Sequence, residues 1–294
     1  MKEGVGMLKT SLIIENLEDL AGFRSNVAML REAGFEAADA ALFTPRLEEL
    51  IRSGEWQSLA REVRTIAEEA GLELYQCHTS LPLEPAEWPP LIPLIEKQLV
   101  FAGAIGAKNA VVHPICPLTV DDPLLQAGDA AAMETNLKMY RCLLPVAADA
   151  GVTICTENLF SDGKNMEVVP CFSSHAAELN ELMEQLPGLK VCLDIGHAAA
   201  AKQDPAEMVY SFGERLTALH LHGNDLVHDL HISPFGSADM GWDRFCKALQ
   251  EVGYQGSINL EVMYLVRNTP RELLPATYRY LHSCAAYLAE KASI

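Results

Sequence analysis

Hydrophobic and polar positions follow two periods along the chain, and segments of the two kinds alternate in a fixed order. An amphipathic segment of helical period repeatedly ends at a glycine, and a short apolar run of strand type follows and stops at a polar residue. Glycine suits this junction because the residue after a helix commonly takes a positive φ. The instances are REAGFEAADAALF, EEAGLELYQCH, GAIGAKNAVVHP, ADAGVTICTEN, QLPGLKVCLDIGH and QEVGYQGSINLE.

Two further strands complete the pattern. GERLTALHLH lacks the glycine before the strand, and TSLIIEN opens the chain, so that eight strands are predicted, each followed by a helical segment. Such alternation favours parallel β-α-β units, and eight units predict an α/β protein with a closed (β/α)8 TIM barrel. No linker or break in composition divides the chain, so we expect residues 1–294 to form a single barrel domain. An open doubly wound sheet is disfavoured because no G-x-G-x-x-G follows the first strand.

Two predicted connections are longer than a barrel requires. HTSLPLEPAEWPPLIPL follows the third strand, and NLFSDGKNMEVVPCFSS follows the fifth. Long loops after barrel strands commonly cover the site, so we expect both to act as lids.

The composition narrows the class of partner. The 294 residues carry a net charge of −18, which disfavours non-specific binding to nucleic acid or to an anionic membrane surface. We expect no membrane partner, because the chain shows neither a signal peptide nor an apolar run of membrane-spanning length. The eight cysteines form no C-x-x-C pair, and a cytoplasmic protein with reduced, buried thiols fits them best.

Titratable residues stand where the predicted strands end. In a TIM barrel the functional groups lie at the C-terminal ends of the strands. The residues at these positions are His78, His113, Glu157, Asp194, His220 or His222, and Glu261. Singly, each has a structural explanation, such as a hydrogen-bonded histidine or a charge at a helix N-terminus.

Three of these residues are carboxylates that converge after apolar runs. Glu157, Asp194 and Glu261 would repel one another strongly unless a cation lay between them. With one histidine from the seventh strand they form an oxygen-rich set of ligands. This set predicts one divalent cation, Mn²⁺ or Mg²⁺ in the first place, with Co²⁺ or Zn²⁺ as alternatives.

At these strand ends the sequence resembles the xylose isomerase-like barrels. That family includes sugar and sugar-phosphate isomerases and epimerases, and also the apurinic endonuclease of base-excision repair. The resemblance covers nearly the whole chain and depends on VVHP, TEN, CLDIGH, LHLHGNDLVHDLH and NLEV, in this order.

The resemblance implies a role for each of these residues. Its metal ligands correspond to Glu157, Asp194, His220 and Glu261, and its catalytic acid and base correspond to Glu157 and Glu261. Relatives often read H-x-H-D-N-D on the seventh strand, which aligns His220 with the ligand, whereas a shifted match nominates His222. Gly223 stands where an aspartate is usual. The residues implied or expected to lie near the substrate are His78, His113, His197, His222, Asp225, Asp229 and His231.

The activity implied is isomerisation or epimerisation of a sugar, sugar phosphate or polyol by proton transfer through an enediolate. The partner is then a small carbohydrate, and homo-oligomers are common among such relatives. Lys164 and Arg267 are candidates to contact a substrate phosphate, although each is more simply explained as a surface charge.

Other functions compete with this hypothesis. The apurinic endonuclease uses three zinc ions, and every histidine and carboxylate named at the strand ends has a counterpart there. A multi-zinc phosphoester hydrolase is therefore the main alternative, and a polyol dehydratase is another. The acidic composition speaks against DNA repair, as does TSLPLEP after His78, which offers no ring to insert into a duplex. A binding barrel without catalysis is disfavoured because no candidate ligand is missing.

Overall fold

The predicted α/β barrel is confirmed. The computed structural model describes residues 7–81, 88–236 and 238–293. Eight parallel strands form the main sheet, in the order β10-β1-β2-β3-β4-β5-β8-β9, and β6 and β7 form a separate two-stranded ribbon. The barrel strands are β1 (Lys9–Ile14), β2 (Ala37–Ala41), β3 (Glu73–His78), β4 (Asn109–Val111), β5 (Thr153–Glu157), β8 (Lys190–Asp194), β9 (Leu216–His220) and β10 (Ser257–Leu260). The ribbon strands are β6 (Ser161–Asp162) and β7 (Val168–Val169).

The sheet closes on itself just beyond the end of β9. Leu221 and Leu260 form a parallel bridge between β9 and β10, the two outer strands of the order. The Leu221 amide donates to Asn259 O at 2.9 Å, and the Glu261 amide donates to Leu221 O at 3.0 Å. These bonds bring the ends of the seventh and eighth barrel strands together, which places their polar residues on one rim.

Helices surround the barrel and follow its strands. They are α1 (Leu20–Ala33), α2 (Pro45–Ser53), α3 (Gln57–Ala70), α4 (Trp88–Ile105), α5 (Pro123–Ala127), α6 (Asp129–Ala150), α7 (Ala176–Gln185), α8 (Ile195–Ala200), α9 (Pro205–Phe212), α10 (Trp242–Val252), α11 (Met263–Arg267) and α12 (Leu274–Ala292). The predicted junction glycines end several of them. Gly71 after α3 and Gly151 after α6 have φ of 66° and 72°, in the left-handed region that a side chain disfavours.

The long loop predicted after the third strand is partly helix. Its segment WPPLIPL forms the first two turns of α4. Pro89 and Pro90 stand in the first turn, where an N–H group has no partner within the helix, and Pro93 lies inside the helix. Positions 82–87 of this predicted lid lie outside the described residues. The loop predicted after the fifth strand contains the ribbon β6–β7.

The inside of the barrel explains which side chains reach its mouth. Val111, Cys155, Cys192 and Ala218 pack against one another as a fully buried layer. Side chains two residues further along a strand point the same way, about 6–7 Å nearer its C-terminal end. On β5, β8 and β9 those side chains belong to Glu157, Asp194 and His220.

The cysteines and the helices bear on two further expectations, reduced thiols and no membrane partner. All eight cysteines are free, and seven of them are buried. Among the described residues, no helix combines the length and the apolar character that crossing a bilayer requires.

Candidate metal and active site

Four strand-end side chains meet at the floor of the barrel mouth. Glu157, Asp194 and His220 are the last residues of β5, β8 and β9, and Glu261 directly follows β10. Each offers one ligand atom, and these four atoms all lie within 4.8 Å of one another. We call these four residues the carboxylate cluster. It contains the four residues that the resemblance nominates as metal ligands.

The carboxylate cluster holds more negative charge than its protein contacts balance. At most 4% of each residue is exposed. His220 Nδ1 lies 3.1 Å from Glu157 Oε1 and 3.4 Å from Glu261 Oε2. Asp194 Oδ2 is buried without a hydrogen-bond partner among the described residues, and Glu157 Oε2 faces His113 Nε2 at 3.1 Å and His78 Nε2 at 3.6 Å. Buried charges of one sign require a counter-charge, and three carboxylates with one imidazole fit a divalent cation such as Mn²⁺.

The electrostatics of the two glutamates differ. Burial alone would raise the pKa of Glu157, but the positive charge of His220 and the contact with His113 hold it well below its ordinary value. Burial raises the pKa of Glu261, and His220 and His231 offset this only in part. In the metal-free site Glu157 is therefore the more readily ionised of the two.

A second group, which we call the histidine cluster, lies beside the first. It consists of His197, His222, Asp229 and His231, whose ligand atoms also lie within 4.8 Å of one another. His231 Nε2 lies 2.9 Å from Asp229 Oδ2, and His197 Nε2 lies 3.6 Å from Asp229 Oδ1. His222 stacks on His231, with ring centroids 4.0 Å apart.

A third group shares Glu157 with the carboxylate cluster. His78, at the end of β3, and His113, two residues after β4, lie with Glu157 in one ligand-forming set. The Nε2 atoms of the two histidines are 3.1 Å apart, and His113 Nε2 is 3.1 Å from Glu157 Oε2. Ten of the eleven residues that the sequence analysis places in or near the site thus converge on one rim.

The two histidines of the seventh strand occupy different groups. His220 and His222 are both fully buried. His220 contacts Glu157 and Glu261, whereas His222 Nε2 lies 3.1 Å from Asp194 Oδ1 and its ring packs in the histidine cluster. Asp225, expected near the substrate, is an exception to the convergence. It is exposed, and its carboxylate accepts from the amides of Val227 and His228 in its own turn.

Glycine permits this packing around His222. A Cβ at Gly196, in the motif CLDIGH, would lie 2.0 Å from Cε1 and 2.4 Å from Nε2 of His222. The glycine thus lets α8 approach the ring of His222.

Two residues of this region escaped the sequence analysis. Asn158, in the motif TEN, accepts from the Asp194 amide and donates to the Asp194 carbonyl, both at 2.8 Å, and so joins the ends of β5 and β8. Asp39 lies in the middle of β2 beneath the carboxylate cluster, and its carboxylate contacts His220. The signal available for Asp39 was a lone charge in the apolar strand AADAA.

The groups open into a cavity of about 820 Å³. Glu157, Glu261, His78, His113, His197 and His231 line its floor, and the walls include apolar side chains such as Phe43, Leu118 and Phe160. Two arginines reach the wall, and both have acidic partners. Arg267 Nε bonds Glu15 Oε2 at 2.7 Å, and Arg52 Nη2 lies 3.9 Å from Glu48 Oε2. A cavity with polar groups on its floor and apolar walls suits a small ligand with several hydroxyl groups.

Comparison with known proteins places this geometry in a family. A family model described as xylose isomerase-like TIM barrel matches residues 27–284. Uncharacterized protein y4fM of Sinorhizobium fredii is similar, with 23% identity over 272 residues that cover 82% of this chain and 81% of that protein. D-psicose 3-epimerase of Clostridium cellulolyticum superposes with a TM-score of 0.70 at 15% identity, covering 96% of this chain and 99% of that one. For 3-keto-D-glucoside 4-epimerase of E. coli the TM-score is 0.68 at 16% identity, with coverage of 94% and 100%. At these identities the solved structures establish the shared fold.

Proposed function

Because this chain belongs to the xylose isomerase-like TIM barrel family, we propose that it is a divalent-metal-dependent isomerase or epimerase. Its substrate would be a sugar, a sugar phosphate or a related polyol. The observation that carries the proposal is the carboxylate cluster, because its buried ligand atoms lie together and two of its residues, Glu157 and Glu261, line a cavity large enough for such a substrate. The epimerases named among the similar structures support it.

We assign the metal to Glu157, Asp194, His220 and Glu261, with Mn²⁺ or Mg²⁺ as the first candidates. When bound, the cation would supply Lewis-acid stabilisation of the negative charge that develops on substrate oxygens. His78, His113, His197, His222, Asp229 and His231 are assigned to substrate binding. Those that line the cavity floor can donate to hydroxyl groups and hold the reacting carbon in place.

The proton transfers are assigned to the two glutamates. One carboxylate takes the proton from the carbon that bears the hydroxyl group next to the carbonyl. The electron pair of the broken C–H bond passes into the enediolate of the substrate. The other returns a proton to the opposite face of that carbon, which gives the epimer. Return by the same carboxylate to the neighbouring carbon would give aldose–ketose isomerisation.

Exchange of substrate hydrogen with D₂O tests the two-base scheme. We expect the Mn²⁺-loaded protein to incorporate deuterium into a member of a panel of ketoses and keto-glycosides, and Glu157→Gln and Glu261→Gln each to abolish this. Glu73→Gln is the matched control, because Glu73 opens β3 at the far end of the barrel, where it pairs with Lys9. Near-wild-type exchange in either cluster variant would show that the two-base scheme is wrong.

A specific observation favours a second candidate, a multi-zinc phosphoester hydrolase. The potential ligands form four overlapping sets on one rim, the fourth being His78, His220 and Glu261, and Glu157 belongs to two of the four. Elemental analysis of the purified protein separates the candidates. About one Mn, Mg or Co per chain supports the isomerase or epimerase, whereas two or three Zn per chain would contradict it and make phosphoester cleavage the next assay.

A further inference from the structure

A buried carboxylate lies beneath the carboxylate cluster and takes no part in the proposed chemistry. Asp39 is fully buried, and its Oδ2 atom faces three donors. Gln76 Nε2 donates to it at 2.7 Å, Asn259 Nδ2 at 3.1 Å and His220 Nε2 at 3.1 Å. The donors come from β3, β10 and β9, so Asp39 joins residues from four strands below the site.

These contacts determine the orientation of the His220 ring. A carboxylate accepts hydrogen bonds, so the His220 proton on Nε2 points down to Asp39. The opposite ring atom, Nδ1, then points up, 3.1 Å from Glu157 Oε1 and 3.4 Å from Glu261 Oε2. A cation that displaces the proton on Nδ1 leaves the Nε2 proton hydrogen-bonded to Asp39, so Nδ1 is the atom that would bind the metal, in the carboxylate–histidine–metal arrangement common at metal sites.

The surroundings of His222 differ. Within the described part of the chain no carboxylate contacts its Nδ1, which faces the carbonyl of Gly223 at 3.3 Å, while its Nε2 faces Asp194 and, at 3.5 Å, Asp229. Its ring is wedged between Gly196 and His231. His222 therefore sits one layer above the histidine that Asp39 supports.

We propose that Asp39 is a positioning residue that presents Nδ1 of His220 to the divalent cation, so that His220 and not His222 completes the metal site. This inference rests on the proposed function, because it presumes that the carboxylate cluster binds a cation. It assigns a role to Asp39 and selects between the two histidines of the seventh strand.

The direct test is NMR of nitrogen-15-histidine-labelled protein loaded with cadmium-113. We expect scalar coupling between cadmium and Nδ1 of His220, with a proton retained on Nε2, and the signals are assigned by their loss in His220→Gln. Coupling to His222, or to Nε2 of His220, would overturn the proposal. This measurement needs no substitution at Asp39 and does not depend on turnover.

The second test measures Mn²⁺ affinity by calorimetry. We expect the isosteric Asp39→Asn to raise the Kd about 10- to 100-fold, as loss of such a supporting carboxylate does elsewhere. Gln76→Met is the matched control, since it removes another donor to the same Oδ2 atom and leaves the His220 contact in place. Thermal unfolding of the metal-free variants checks that both remain folded.

The outcomes distinguish failure of the role of Asp39 from failure of the proposed function. An unchanged Kd in folded Asp39→Asn would overturn the role of Asp39 and leave the proposed function standing. Equal weakening in Asp39→Asn and Gln76→Met would likewise overturn it, because it would indicate a general effect of the buried network. Failure of the wild-type protein to bind any Mn²⁺ would contradict the proposed function itself.

Discussion

Gly196→Ala should destabilise the protein, although the substitution lies near the start of a helix. Gly196 is the second residue of α8, and there alanine would ordinarily stabilise by about 0.5–1 kcal/mol through helix propensity. Here the new Cβ would lie 2.0 Å from Cε1 of His222, so the ring must move by more than about 1 Å to reach van der Waals distance.

The His222 ring has little room for that movement. It is fully buried and stacks on His231 at a centroid distance of 4.0 Å. Overpacking of this kind costs about 1–3 kcal/mol and the gain in propensity is about 0.5–1 kcal/mol, so the middle values leave a net loss of about 1 kcal/mol. The moved ring would also leave its contact with Asp194 Oδ1, now 3.1 Å.

Urea denaturation of the metal-free protein measures this effect. Gly236→Ala is the control, because the nearest atom to its Cβ, among described residues other than its chain neighbours, would be Ser233 O at 3.4 Å. We expect the free energy of unfolding to fall in Gly196→Ala and to stay within about 0.5 kcal/mol of wild type in Gly236→Ala, as surface substitutions usually do. Equal stability of Gly196→Ala and wild type would refute the claim that His222 is held rigidly.

Three further measurements test the network. Asn158→Leu should lower the free energy of unfolding by about 2–4 kcal/mol, because it leaves the buried N–H and C=O of Asp194 without partners. A loss of less than about 1 kcal/mol would show that water replaces the side-chain amide of Asn158. Mn²⁺ at 100 times its Kd should raise the free energy of unfolding by about 2.7 kcal/mol, with reversal by a chelator, and the absence of any shift would exclude binding to the folded state. Burial alone would lower the pKa of His231, but Asp229 and Glu261 raise it to about 10. The stabilisation from its protonation is complete below the unfolded pKa near 6.5 and is lost as pH rises toward 10, so metal-free His231→Gln should show a flatter decline over that range than wild type.

Much of the site followed from the sequence because a barrel makes the end of a strand a functional position. A polar residue after an apolar run is a local signal, and closure of eight parallel strands brings such residues together whatever their separation along the chain. Glu157, Asp194 and Glu261 could be predicted in this way. The signal is less exact for His113, which stands two residues past the end of β4 because the chain leaves the sheet at Val111.

Asp39 could not be placed in this way, because its role depends on contacts at long range. Its three donors lie 37, 181 and 220 residues away along the chain. The local pattern AADAA predicts only a strand with an isolated charge. Likewise, the spacing of His220 and His222 predicts that both side chains face the inside of the barrel. It does not predict that His220 lies in the carboxylate cluster and His222 in the histidine cluster.

Asp225 shows how a polar stretch misleads. The run from His220 to His231 is rich in ligand-type residues, and the sequence offers no means to separate those that serve the cavity from those that shape the loop. In the structure Asp225 accepts from the amides of Val227 and His228, which is the local turn-forming role typical of aspartate. The Asp225 carboxylate therefore stabilises its own turn and does not face the cavity.

The number of metals depends on how the histidine cluster neutralises its own charge. Burial would lower the pKa of His197, but Asp194 and Asp229 raise it well above its ordinary value, and His231 is raised in the same manner. In the metal-free protein at neutral pH these two imidazoliums balance the carboxylates of Asp194 and Asp229. A cation in the histidine cluster must displace both of those protons. A cation in the carboxylate cluster displaces one, because the acidic groups around His220 outweigh its burial and raise its pKa as well, and it meets three carboxyl groups there. A first cation is therefore favoured at the carboxylate cluster, and occupancy of the histidine cluster should increase as pH rises. This ordering explains how one rim can carry ligands for several ions and still serve, near neutral pH, the single-metal chemistry proposed here.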